Sequence, residues 1–151
     1  MRQFKNISNS PFTSDAAIIL EISSLFPDFD EPLQKLIAGM AGCSPFLHDL
    51  IKKEVTWITK TLKSGLNPEE TITNEVLQSS NISKSLRAAK ARISLWTALQ
   101  DLSGNWKLEE VSKCLSEFAD FSVKVALKYS IESLIADGQF SKLKNNSDAD
   151  Q

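Results

Sequence analysis

Three times in this chain a polar capping residue is followed within two positions by proline, and each time an apolar pattern with helical spacing begins. Asp30-Glu31-Pro32 leads into Leu33, Leu36, Ile37 and Met40; Ser44-Pro45 leads into Phe46, Leu47, Leu50 and Ile51; Asn67-Pro68-Glu69-Glu70 leads into Ile72, Val76 and Leu77. Proline in the first helical turn fixes φ without removing a needed donor, and the capping oxygen takes one of the orphaned N–H groups. The two glutamates after Pro68 face the positive end of the helix dipole. The five glycines and five prolines fall between the periodic segments, which suits helices joined by short loops.

The remaining segments follow the same rule. An amphipathic run from about Asp15 to Leu25 places Ala16, Ile19, Leu20 and Ile22 or Ser23 at helical spacing, with Thr13 or Ser14 as its cap, and Phe26-Pro27-Asp28 breaks it. After Ile51 the periodicity shifts through Lys52-Lys53-Glu54 to Val55, Ile58 and Leu62, which reads as two short helices or as one. Gly65 is placed to end that stretch. The Asn67 helix continues to about Ser80. Two long helices follow, from about Ser83 to Ser103 and from Leu108 to Ala136. The first carries Leu86, Ala89, Ile93, Trp96 and Leu99 as its buried stripe, with Trp96 facing the last helix; the second carries Val111, Leu115, Phe118, Ser122, Val125 and Tyr129. Gly104-Asn105 and Asp137-Gly138 are the stops. No segment alternates strictly and no 30–45-residue repeat is present. The sequence therefore predicts an all-α fold, a bundle of about six or seven helices with the last two long. Residues 1–14 read as a flexible N-terminus, 15–138 as a single helical domain and 139–151 as a polar linker or tail.

Several function classes are excluded by simple counts. Seventeen Lys and Arg stand against 19 Asp and Glu, a net charge of −2. A general nucleic-acid binder needs clustered excess positive charge, so no nucleic-acid partner is expected. No run approaches the ~18 apolar residues of a membrane span, so no membrane partner is expected either. Met1 to Asn6 lead into polar residues instead of a signal-peptide core, and the two cysteines, Cys43 and Cys114, are too few and too far apart for a disulfide framework. A cytoplasmic location is the simplest expectation.

Residues able to carry chemistry are sparse. His48 is the sole histidine, which excludes any histidine dyad or multi-histidine metal site. Cys43 stands just before a helix N-terminus, where a thiol pKa can fall, but with no base in evidence it reads as a packing residue, and Cys114 reads as core. Trp57, Trp96 and Trp106 read as core or groove anchors. Asp148-Ala149-Asp150 has the spacing of a Mg²⁺-binding pair, yet no strand-like run, glycine-rich turn or third carboxylate accompanies it, so it reads as solvated tail. The Asn-x-Ser matches at Asn6, Asn81 and Asn145 lack a secretory context. No catalytic, cofactor-binding or metal-binding residue is assigned. One cluster remains: Lys84, Arg87, Lys90 and Arg92 collect positive charge where the helix dipole disfavours it. Pairing with Glu69, Glu70, Glu75 or Glu109 on neighbouring helices is the favoured account; contact with an outside anionic partner is the other.

Several of these pieces together resemble a known family. Ala41-Gly42-Cys43-Ser44-Pro45-Phe46-Leu47 with Leu50-Ile51 is similar to a segment near the start of bifunctional glutamine synthetase adenylyltransferase/adenylyl-removing enzymes. Leu86-Arg87-Ala88-Ala89-Lys90 and Ala98-Leu99-Gln100-Asp101-Leu102-Ser103-Gly104 resemble that family's long basic-started helix. Leu108-Glu109-Glu110-Val111-Ser112, Leu115-Ser116, Phe118-Ala119-Asp120 and Ala126-Leu127 resemble the helix after it, so the likeness runs from about Leu33 to Gly138. It implies a place in nitrogen control: family members move AMP from ATP to a tyrosine of glutamine synthetase, and remove it, under direction of a PII signalling protein. Those activities belong to two Mg²⁺-dependent nucleotidyltransferase domains whose motifs are absent from this chain. The expectation is thus a non-catalytic N-terminal helical segment that buttresses a downstream nucleotidyltransferase domain, with ATP and Mg²⁺ handled elsewhere. A free-standing helical interaction module is the alternative.

Overall fold

The computed structural model describes residues 7–137, which form seven helices and no strand. They are α1 (Ala16–Leu25), α2 (Glu31–Cys43), α3 (Pro45–Lys53), α4 (Val55–Ser64), α5 (Pro68–Leu77), α6 (Ile82–Leu102) and α7 (Leu108–Ala136). The all-α expectation holds, and the last two helices are the long ones. Gly138, residues 1–6, the Asp148/Asp150 pair and the 139–151 tail expectation lie outside the described residues.

The capping logic is realised at every proline start. Asp30 Oδ1 accepts from Leu33 N at 3.1 Å, Ser44 Oγ from Leu47 N at 3.3 Å, and Asn67 Oδ1 from Glu69 N at 3.1 Å. α1 departs from expectation: neither Thr13 nor Ser14 is the cap. Asp15 takes that place, its Oδ1 accepting from Ala17 N and Ile18 N, while Thr13 Oγ1 accepts from Asp15 N one step earlier. A carboxylate there also meets the positive helix end. The open choice after Ile51 resolves as two helices, parted at Glu54, whose φ of −111° and ψ of 22° leave helical space. Gly65 closes α4 with a left-handed φ of 62°, as its position in the sequence predicts.

Two helices organise the core. α2 is buried along one continuous stretch, Leu36 to Ala41, and packs against α1, α3 and α6. α6 buries Ala89, Ile93, Leu95, Trp96, Thr97, Leu99 and Gln100. Trp96 meets Trp106 edge-on at 6.3 Å between ring centres, in the α6–α7 connection, and beside it Thr97 Oγ1 donates to Cys114 Sγ of α7 at 3.7 Å. α1 buries only Ile22 fully; Ile19 and Leu20, expected on its inner stripe, are exposed, and Ile18 and Leu25 take the inner positions.

Residues 7–14 lie against this core, where the sequence reads as flexible. Ser8 N and Asn9 N both donate to Ser103 O, at 3.0 and 3.1 Å, and the Ser8 hydroxyl donates to the same oxygen. The segment then crosses α2. Gly39 and Gly42 sit inside that helix instead of between elements, because a Cβ on Gly39 would stand 1.9 Å from Pro11 O and one on Gly42 2.5 Å from Thr13 Oγ1. Each glycine lets the crossing backbone approach where any side chain would block it.

α6 and α7 are joined by a short turn and run antiparallel. α6 has 21 residues and α7 has 29, so α7 outruns its neighbour by roughly 12 Å at 1.5 Å per residue. The inner stripe of α7 is Val111, Cys114, Phe118, Phe121 and Val125. Leu115 and Tyr129, expected on that stripe, are exposed: Leu115 lies ~100° around the helix from Cys114, and Tyr129 sits where α6 has run out.

Candidate partner-contact surface

The basic start of α6 divides into two unlike parts. Asn81 caps the helix, its Oδ1 accepting from Lys84 N at 3.0 Å. Lys84, Arg87 and Lys90 then recur every third residue and are all exposed, so they share one solvent face. Among the described residues none of the three forms an ion pair; Arg87 Nη2 donates to Ser83 Oγ at 2.9 Å, within its own helix. Of the acids expected to neutralise the cluster, Glu75 pairs instead with its fourth member, Arg92.

Arg92 points the other way and is consumed by the fold. Its Nε donates to Glu54 Oε2 at 2.9 Å, its Nη1 donates to Glu75 Oε2, and its guanidinium lies 5.9 Å from the Trp57 ring centre. One planar, multi-donor group thus ties α6 to the α3–α4 break, to α4 and to α5, a geometry a lysine could not reproduce. Glu75 was among the expected partners; Glu54 was not. Its signal lay in the break after Lys53, which turns a carboxylate towards a neighbouring helix. The Trp57 ring is buried beneath Arg92, which suits its expected anchoring role.

His48 belongs to a second small cluster. Its Nε2 lies 2.6 Å from Glu21 Oε2, while Lys52 Nζ donates to Glu21 Oε1 at 2.8 Å, so one carboxylate joins α1 to two successive turns of α3. Lys52, and secondarily His48, hold the Glu21 carboxyl below the usual carboxylate range, and Glu21 raises the Lys52 ammonium above its own. Glu21 spends both oxygens on these two partners, and the group reads as a clamp between α1 and α3. Cys43, expected as a buried packing residue, is exposed, because it stands at the α2 C-terminus away from the core; Cys114 is buried, as expected. Asn81 spends its side chain on the α6 cap.

A concavity of about 740 Å³ lies between residues 7–13 and helices α1 and α2, lined by Ile7, Pro11, Phe12, Ile19, Pro32 and Ala38 among others. Its two charged side chains, Glu31 and Lys35, pair with each other at 2.6 Å. Sequence reasoning missed it, because it depends on where the N-terminal segment docks. As for Mg²⁺, among the described residues no three His, Cys, Asp or Glu side chains converge as a donor set, so they do not fit that ion. Nor is any described helix long and apolar enough to cross a membrane.

The described residues thus form an all-α bundle with an exposed basic face on α6 and with Arg92 tied to Glu54 and Glu75. The chain belongs to the glutamate-ammonia ligase adenylyltransferase family, whose model matches residues 33–151. It is 29% identical over 128 residues to the bifunctional glutamine synthetase adenylyltransferase/adenylyl-removing enzyme of Rhodopseudomonas palustris strain TIE-1, covering 80% of this chain and 12% of that enzyme. The enzymes of the same name from Agrobacterium fabrum (28% over 128 residues, 77% of this chain and 13% of the relative) and Caulobacter vibrioides (26% over 120 residues, 74% and 12%) are also similar. The likeness is to the N-terminal region of these enzymes, and the chain spans about an eighth of their length. No solved structure matches.

Proposed function

We propose that this chain acts as the non-catalytic N-terminal helical portion of a glutamine synthetase adenylyltransferase/adenylyl-removing enzyme in the cytoplasm. The observation that carries the reading is the family match over residues 33–151, set beside relatives of which it spans 12%. ATP, Mg²⁺ and the AMP-transfer chemistry belong to the larger remainder of such an enzyme, with glutamine synthetase as substrate protein and a PII protein as director. Within this portion the rigid parts brace a neighbouring domain, and Lys84, Arg87 and Lys90 offer an exposed positive face to an acidic surface of that domain or of glutamine synthetase.

The test is a replacement. In the Rhodopseudomonas palustris enzyme, the region matched here is exchanged for this chain, or deleted, and transfer of labelled AMP to glutamine synthetase is measured. The reading predicts activity in the exchanged protein, loss on deletion and no incorporation by the 151-residue chain alone. Incorporation by the chain alone, or an exchanged protein no better than the deletion, would defeat it.

A further inference from the structure

α7 carries two apolar stripes, and the fold uses one. The inner stripe ends at Val125, and every residue from Ala126 to Asp137 is exposed. A second set, Val123, Leu127, Ile131 and Leu134, recurs at intervals of four, four and three, the spacing of a single helix face. Val123 lies two residues from both Phe121 and Val125, about 200° round the helix, so this face looks away from the bundle. Its members are 66%, 59%, 38% and 38% exposed, which leaves four large apolar side chains in one row along the distal half of α7. Lone exposed apolar residues are ordinary, but a row at helical spacing marks a surface meant for contact.

The size of the row decides what covers it. Four side chains on a few turns of one helix fall far short of the ~20–30 residues a side that a stable bimolecular complex uses. A second copy of this chain docking through it would form a weak, concentration-dependent pair. A partner joined to the same polypeptide needs no such area, because tethering supplies an effective concentration of order millimolar. The relatives provide that partner: this region is 12% of their length, and the rest of their chain continues beyond it. We infer that the Val123–Leu127–Ile131–Leu134 face of α7 is an intramolecular docking surface, covered in a family enzyme by an apolar face of the chain that follows. The inference rests on the proposed function, but it concerns packing and not catalysis.

Hydrogen exchange tests it. The chain is joined to the portion of the Rhodopseudomonas palustris enzyme that follows the matched region, and amide exchange is compared with that of the 151-residue chain. The expected result is at least ~100-fold slower exchange over residues 127–134 in the joined protein, with residues 111–121 changed little. Leu127→Lys with Ile131→Lys should abolish that gain, and should leave the melting temperature of the 151-residue chain where it was. Equal exchange at 127–134 in both proteins would overturn the inference. So would a 151-residue chain that sediments as a tight dimer and is split by the double variant, since that assigns the face to a second copy. Protection gained in a joined protein that transfers no AMP would sink the proposed function while leaving the docking surface standing.

Discussion

α6 and the distal half of α7 are built from similar residues and have opposite fates. α6 buries side chains on most of its circumference, with Leu95, Trp96, Thr97, Leu99 and Gln100 clustered within two turns. Distal α7 carries Leu127, Ile131, Leu134 and Ile135 at comparable density and buries none of them. An amphipathic pattern therefore states that a helix has a face to bury; it does not state that the partner lies in the same chain segment. The partner of α6 is supplied by α2, α3, α5 and α7, all drawn from residues 31–136. No equivalent partner for distal α7 stands among the described residues.

The largest expected effect breaks the buried side of this contrast. Trp96→Ala should cost about 3–5 kcal/mol, enough to unfold a domain of ordinary stability. A denaturant melt reads it directly, and a midpoint close to that of the parent chain would show that α6 is not the hub. Gly39→Ala is the next test, at about 1–3 kcal/mol, because its methyl must displace the Pro11 carbonyl. If it were neutral in the same melt, residues 7–14 would not be seated on α2.

Arg92→Ala sharpens the contrast between the two parts of the basic cluster. Arg92 and Glu54 are about three-quarters and five-sixths buried, so removing the guanidinium leaves Glu54 without its donor, at a cost of about 1–3 kcal/mol. Arg87→Glu, on the exposed face, should change stability by no more than ~0.5 kcal/mol. Differential scanning calorimetry of both variants separates them, and equal effects would erase the division. At the small end is acidification. The Glu21 carboxyl is lowered in the folded chain, so its pairing with Lys52 and His48 is fully present above the ordinary carboxylate range and is lost as pH falls through the lowered value. Glu21→Gln should flatten that acid slope of stability; an unchanged slope would remove Glu21 from the account.

Local chemistry was legible in the sequence and long-range chemistry was not. Asp30, Ser44 and Asn67 announce their helices because a cap and its donors lie within three residues. Glu54 could not be named as the partner of Arg92, since 38 positions separate them and only tertiary packing brings them together. Gly39 and Gly42 are inseparable from ordinary helix-end glycines until Pro11 and Thr13 are seen to cross them. Leu115 and Tyr129 fit the helical period of α7, but periodicity alone says neither how wide the packed sector is nor where α6 stops, and both are exposed. The exposed Lys84, Arg87 and Lys90 face was legible as a cluster, and its separation from Arg92 was not, because that depended on where Glu54 and Glu75 stood.

Native-state hydrogen exchange on the 151-residue chain tests the contrast most directly. Amides of α6 from Ile93 to Leu99 should exchange only through global unfolding, and those of α7 beyond Leu127 through local fraying many orders of magnitude faster. Protection at Ile131 and Leu134 equal to that at Trp96 would mean that distal α7 is already covered within this chain, and would contradict the account.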